Sequence, residues 1–480
     1  MGETNTSVNR EAIFGLLPVL PSERTWNFWD FASVNVGLAI ATWCFLIGGT
    51  MSFFVDLKMG FVAALAGNTT AILIMAAATT LPSARYGLDQ YTSLRSVFGV
   101  QGSKFALLMM VFVEFLWCAV LSVMFGRAMQ NIYENFSGKS GSGVVLLIAF
   151  AIVAILISWL VVWKGPVTIR IFNLIVAPGL GLMMLVMAYL LVRDVGFSGI
   201  WIAPPLDPAP DAWWNFMIAF ELNLGAGFSW WPIMGGLARL TRGERSAFWP
   251  NMLGINLAAV VGTMIGLASA LTIGTDDPTE WMVPLGGPVF GVLALLFVAF
   301  ANITSIMSLA YSTCLALKQV RTFLLMDWGK LTATFFIPAV IIVFFPYAVY
   351  DNFGSFLAIC ATFYGPLSGI YFVDYFLLRR QKLNLRHIYN MSPASGYYYW
   401  GGVNWVAVAS FVTSIPVYYL FLDPISFAST TPFVWLTASL PSTIYAMVIY
   451  YVLMKWLVLS KNLGAYETGS VGSRTEKAVP

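Results

Sequence analysis

An all-α polytopic membrane protein of about twelve transmembrane helices is predicted, and three observations predict it. The 480 residues are 59% hydrophobic and 10% charged, against about 25% charge in an ordinary soluble domain. A span needs roughly 20 apolar residues to cross about 30 Å of hydrocarbon, and apolar runs occur at 29–54, 59–81, 104–131, 143–163, 166–192, 213–238, 249–273, 284–317, 328–349, 354–378, 401–422 and 431–458. Lys and Arg fall on alternate sides of these runs, as positive residues do when they are retained on the cytoplasmic side.

Each run in order contributes to that sorting. The first follows a polar segment, residues 1–28, whose Arg10 and Arg24 mark a cytoplasmic tail too long and mixed for a cleaved signal. It exits to a loop with Lys58, and the second run returns to Arg85, Arg95 and Lys104. The third carries Arg127 near its outer end and leads to Lys139; the fourth returns to Lys164 and Arg170. After the fifth come Arg193, Asp194, Asp207 and Asp211, and after the sixth Arg239, Arg242 and Arg245. The seventh ends at Asp276, Asp277 and Glu280, and the eighth at Lys318, Arg321 and Lys330. The ninth and tenth form a pair that returns to Arg379, Arg380, Lys382 and Arg386; the eleventh and twelfth return to Lys455, Lys461, Arg474 and Lys477. With both termini inside, 21 of 25 basic residues are cytoplasmic and Lys58, Arg127, Lys139 and Arg193 are not.

An internal repeat links the first and sixth runs. Ala41-Thr-Trp43-Cys-Phe-Leu-Ile-Gly48-Gly49 matches Phe228-Ser-Trp230-Trp-Pro-Ile-Met-Gly235-Gly236. Five runs separate the copies, so the second enters the membrane in the opposite direction, the pattern of an inverted-topology repeat. Gly37 precedes the first Trp, and Gly225 and Gly227 the second. These glycines suit either a helix broken at mid-membrane, exposing carbonyls and amides to ions and substrates, or close helix packing.

Trp26, Trp29, Trp201, Trp213, Trp214, Trp400 and Trp405 near run ends fit an interfacial belt. Trp43, Trp117 and Trp230 sit near the middle of their runs, where an indole face either packs in the core or stacks on a planar ligand. Two acids lie in the apolar depth, Glu114 one turn before Trp117 and Glu221 nine residues before Trp230. Either could carry a coupling proton, pair with a polar neighbour such as Asn223, or stay protonated as a structural group. Asp30 and Asp374 lie near the membrane faces. In the eighth run Ala301-Asn302-Ile303-Thr304-Ser305 places three polar side chains in five residues. Hydroxyl and carbonyl oxygens suit a hard cation such as sodium, and they equally suit bonding back to their own helix.

Other classes are poorly served. Cys44, Cys118, Cys314 and Cys360 all fall inside apolar runs and read as small core residues. A net charge of +3 without a basic cluster implies no nucleic-acid partner. The single histidine, His387, lies in a loop, and no Ser-His, paired-Asp or metal-ligand constellation occurs in the runs, so no enzyme and no cofactor are expected. A channel would need a continuous polar lining or charged ring.

Residues 24 to 458 resemble the nucleobase–cation symporter family, the permeases of purines and cytosine, allantoin and hydantoins, and most closely its bacterial hydantoin branch. The residues that carry the resemblance are Gly365-Pro366-Leu367-Ser368-Gly369-Ile370, Asp374-Tyr375-Phe376-Leu377 with Arg379-Arg380, Tyr399-Trp400 and Gly402-Val403-Asn404-Trp405. Arg85-Tyr86-Gly87, Arg95, Phe98-Gly99, Gly165, Ile169-Arg170 and Asn173 support it. The resemblance implies a five-plus-five inverted repeat, like that of amino-acid/sodium symporters, with two added C-terminal helices. Its segments would be a tail at 1–28, repeat one at 29–192, repeat two at 193–378, a cytoplasmic loop with helices 11 and 12 at 379–458, and a tail at 459–480. It implies a monomer in the cell membrane, bound by lipid, importing a small planar heterocycle by alternating access with sodium or a proton as coupling ion. Trp117 and Trp230 would sandwich the ring, with Gly37, Ile40, Ala301, Thr304 and Ser305 holding sodium. Where hydantoin-type relatives place amide side chains, this chain has Ala41, Leu121 and Ala310, so Ser229, Asn302, Glu114 or backbone amides would read the ligand instead.

Overall fold

The computed structural model describes residues 17–138 and 141–466. Arg10, Lys139, Arg474 and Lys477, together with the greater part of both expected tails, lie outside the described residues.

Every predicted run contains helix. The first is broken: α1 (Phe28–Ala39) and α2 (Thr42–Met51) meet at an angle of 52°. They are followed by α3 (Leu57–Tyr86), α4 (Ser103–Ser137), α5 (Val144–Trp163) and α6 (Pro166–Val195). The sixth run is also interrupted, into α7 (Ala212–Phe228) and α8 (Trp231–Ala238). Then come α9 (Glu244–Ile273), a short outer helix α10 (Pro278–Gly286) and α11 (Val292–Leu317). The chain continues through α12 (Trp328–Ile342), α13 (Phe353–Leu378), α14 (Trp405–Tyr419) and α15 (Ser439–Lys461). Among the described residues, eight helical stretches are long and apolar enough to cross a bilayer by themselves, and the bent pair makes a ninth. Two shorter apolar helices, α12 and α14, and the interrupted pair α7 and α8 fill the remaining predicted places.

Local chemistry sets these boundaries. Asn27, Asp56, Asp211, Asp327 and Asn404 accept from the first free backbone N–H groups of α1, α3, α7, α12 and α14. Gly87, Gly138 and Gly274 close α3, α4 and α9 in the left-handed conformation. The repeated glycines permit close approach: a Cβ on Gly48 would lie 2.0 Å from the Thr263 carbonyl oxygen, so α2 runs backbone to backbone along α9. Gly225 does the same beside the carbonyl of Leu357, where a Cβ would come within 2.6 Å. Gly225 both serves packing and lies just ahead of the break before α8, so both sequence readings apply to it, whereas Gly48 lies beyond the first break and serves packing.

The core is formed by α2 against α9, α3 against α7 and α8, and α4 against α11, while α14 and α15 pack on the far side of α13. Leu182, Leu185, Ile337 and Ile341 are exposed on the periphery, the apolar outer surface a bilayer requires.

Several loop charges are not where composition suggested. Asp374, expected at the membrane face, is fully buried and pairs with Arg379 at 2.7 Å. Arg379 also donates to the carbonyls of Ser96 and Gly464 and to the Tyr399 hydroxyl, and Tyr450 donates to Asp374. The pair neutralises itself and ties α13, α15 and the loop before α14 together. Arg95 is buried too, with its guanidinium on the Ile388 carbonyl at 3.2 Å. Trp26 is another correction: it is 3% exposed, and its backbone pairs with Leu240 and Arg242, whereas Trp29 is 72% exposed as a belt residue should be.

Candidate functional site

The two helix breaks meet through the tryptophans matched in the repeat, Trp43 and Trp230, whose ring centroids are 5.5 Å apart. Trp43 stands in the first turn of α2, and Trp230 with Ser229 separates α7 from α8. With Trp117 of α4 they form an aromatic cluster: Trp43 meets Trp230 edge-on at 5.5 Å between ring centroids and Trp117 at 6.4 Å. Phe353 and Phe356 of α13 close over Trp117 at 6.0 and 5.0 Å.

Trp43, Trp117, Leu121, Ser229, Trp230, Ser305 and Leu309 enclose a cavity of about 10 Å³, room for roughly one water. Five of the sequence-predicted residues therefore meet here: Trp117, Trp230, Ser229, Leu121 and Ser305. Ala41 and Ala310 are buried but do not line the cavity; Leu309 occupies the α11 position beside it. Asn302, expected at the ligand, instead donates to the Thr42 hydroxyl at 2.8 Å and fastens α11 to the start of α2. The part played by Trp43 was legible only as mid-membrane depth; its insertion between the other two rings depends on the 52° bend.

The same break carries a cluster of oxygens. The Thr304 hydroxyl lies 2.7 Å from the carbonyl oxygens of both Gly37 and Ala301, and one proton cannot serve both acceptors at once. Ser305 Oγ lies 3.3 Å from the Leu38 carbonyl, and Trp43 Nε1 donates to that same carbonyl at 3.2 Å. Ile40 stands in the break itself with non-helical backbone. Oxygen donors of this kind, close together and without a nearby carboxylate, fit a monovalent hard cation better than a transition metal. No group of His, Cys, Asp or Glu able to hold a metal occurs among the described residues.

The two deep acids have different surroundings. Glu221 accepts from the backbone N–H groups of Ala438 and Ser439 at 3.2 Å and closely from the Ser439 hydroxyl, so it caps the N-terminus of α15. It stands outside the tryptophan cluster. Glu114 is fully buried, and neither carboxyl oxygen has a hydrogen-bond partner among the described residues.

Toward the end of the molecule where α2 finishes lies a cavity of about 300 Å³, lined in part by Arg127, Asp276, Asp277, Glu280, Tyr350 and Phe353. Arg127 bridges to Asp277 at 2.6 Å and lies over the Tyr350 ring at 4.1 Å, holding α10 against α4. Phe353 separates this vestibule from Trp117. At the opposite end the chain before α1 is strapped down: Arg24 donates closely to the Ala84 carbonyl, and Trp26 and Leu240 pair through their backbones at 3.0 Å.

A polytopic helical bundle with two helix breaks and an aromatic cluster between them is the architecture of a secondary transporter of the inverted-repeat type. The chain belongs to the family described as permeases for cytosine/purines, uracil, thiamine and allantoin, which matches residues 18–440. It is a permease and not an enzyme. It is 26% identical over 476 residues to a purine-uracil permease of Arabidopsis thaliana, covering 92% of this chain and 77% of that one. It is 24% identical to a hydantoin permease of Microbacterium maritypicum, over 85% of this chain and 84% of that one. Among solved structures, Mhp1, a nucleobase-cation-symport-1 family transporter in a closed conformation with bromovinylhydantoin bound, superimposes with a TM-score of 0.76 at 20% identity, covering 93% and 95% of the two chains.

Proposed function

We propose that this permease imports a small planar nitrogen heterocycle together with sodium, with the ring held between Trp117 and Trp230 and the ion held by carbonyls of Gly37, Ile40 and Ala301 and hydroxyls of Thr304 and Ser305. The observation that carries this reading is the Thr304 hydroxyl 2.7 Å from two carbonyl oxygens, Gly37 at the end of α1 just before the break and Ala301 on its own helix α11. The relatives' names, purine-uracil and hydantoin permease, support a heterocyclic substrate. Leu121 and Leu309 line the cavity where a hydrogen-bonding side chain would select a polar ring, so the ligand is one that asks for few side-chain hydrogen bonds. The remaining polar contacts come from Ser229, Ser305 and the indole N–H groups.

In this reading the protein is a monomer of the cell membrane with both termini cytoplasmic, repeat one spanning 29–192 and repeat two 193–378. The vestibule with Arg127 and its acids is then the outer entrance. One observation favours a second reading, with a proton as the coupling ion: the carboxyl group of Glu114, buried and unpartnered, lies one turn from Trp117. Substitution Trp117→Ala tests the site. Aromatic stacking on a base is worth about 1–3 kcal/mol, so ligand affinity should fall roughly fivefold to 150-fold; unchanged affinity removes the stacking proposal.

A further inference from the structure

Trp43 stands where the ligand of the proposed site would lie. Its ring fills the gap between Trp117 and Trp230 edge-on, and the cavity left beside it holds about 10 Å³. No planar heterocycle fits that space, so binding requires this ring to move. Its side chain donates one hydrogen bond among the described residues, from Nε1 to the Leu38 carbonyl at 3.2 Å. The same carbonyl also faces the Ser305 hydroxyl at 3.3 Å. Ser305 lines the cavity, and its neighbour Thr304 on α11 meets Gly37 at the end of α1.

The Leu38 carbonyl is thus shared between the ligand side and the ion side of the break. It lies between Gly37 and Ile40, whose carbonyls the proposed ion site uses. Gly37 and Leu38 lie in the last turn of α1, just ahead of the non-helical Ile40, and the carbonyls of one helical turn point together along its axis, so a shift of that turn reorients both. We propose that Trp43 is the positioning residue that couples the two sites: reorientation of the break toward Thr304 and Ser305 withdraws the Leu38 carbonyl from Trp43 Nε1 and releases the indole from between Trp117 and Trp230. Linkage makes the effect reciprocal, since a ligand that displaces Trp43 frees the same carbonyl for the ion side. This inference rests on the site proposed above and adds the residue that transmits between its halves.

The test is equilibrium binding of uracil, cytosine, allantoin and hydantoin to the purified full-length protein, with sodium or with choline in its place. For whichever compound binds the wild type, sodium should tighten binding. Trp43→Phe keeps a ring and removes the N–H, and one neutral hydrogen bond amounts to about threefold to tenfold in an equilibrium constant. The sodium-linked gain should shrink by that factor because affinity in choline rises. Trp43→Ala should bind in choline nearly as tightly as the wild type binds in sodium. A Trp43→Phe protein with the full wild-type gain overturns the coupling, as does loss of all binding in a Trp43→Ala protein that still unfolds cooperatively, which would make Trp43 part of the ligand wall. Trp117→Ala separates the levels: if it binds like wild type, the stacking site itself fails, and if it loses binding while Trp43→Phe behaves as wild type, only the coupling fails. A wild type indifferent to sodium removes the ion site and the coupling together.

Discussion

Glu221 distinguishes a coupling acid from a structural one, and its replacement by glutamine is informative because shape is kept while charge is lost. In the structure its carboxylate accepts from two backbone N–H groups and one hydroxyl at the start of α15. A negative charge at a partly buried helix N-terminus contributes up to about 2 kcal/mol, and hydrogen bonds to ionised acceptors are roughly twice as strong as neutral ones. Glu221→Gln keeps one oxygen acceptor, so it should cost about 1–2 kcal/mol, and at roughly 2 °C per kcal/mol for a large chain the apparent Tm falls by about 2–4 °C. Glu221→Ala leaves buried N–H groups unsatisfied at about 1–3 kcal/mol each and should destabilise at least twice as much. The assay is thermal unfolding in detergent beside uptake into liposomes per folded molecule. If Glu221→Gln melts like the wild type and loses the coupling of uptake to its driving ion, Glu221 is a coupling group and the capping account is refuted.

Two further perturbations address the rest of the frame. Arg379→Met strands Asp374 as a buried charge, a loss of about 3–5 kcal/mol, so the single variant should be poorly folded on size-exclusion chromatography and an Asp374→Leu, Arg379→Met pair better folded than the single. Asp276, beside α10, is held above the usual carboxylate range by partial burial and by the nearby charges of Asp277 and Glu280. A raised folded value means the folded state holds the proton more tightly, so its contribution is present at low pH and is lost as pH rises through that value. Asp276→Asn should therefore raise the apparent Tm relative to wild type at about pH 8 and not at about pH 4, near the ordinary carboxylate value.

The spans were readable because apolar runs of bilayer length without charge clusters have few other uses, and the alternation of Lys and Arg predicts their orientation. The breaks were half readable. Gly37 and Gly225 with the Trp-x-x-x-x-Gly-Gly repeat locate them, yet Gly225 is also demanded by packing on Leu357, and sequence alone cannot weigh the two. Thr304 and Ser305 were joined to Gly37 only by the family resemblance, because residues 267 apart in the chain leave no local pattern, and the contact of Ser305 with Leu38 had no signal at all. The same distance problem hid the role of Glu221, whose partners come from α15, and the burial of Asp374, read only as an acid near a membrane face, which Tyr450 of α15 helps to enclose. Asn302 misled for a local reason: one turn of helix decides whether an amide faces the cavity or the base of α2.

Uptake of a heterocycle by protein reconstituted in liposomes, under an imposed sodium gradient at equal pH on both sides, tests the central claim most directly. The account predicts accumulation above the external concentration that collapses when sodium is equalised and persists when only a pH gradient is removed. Accumulation driven solely by a proton gradient, or simple equilibration under every gradient, would contradict it.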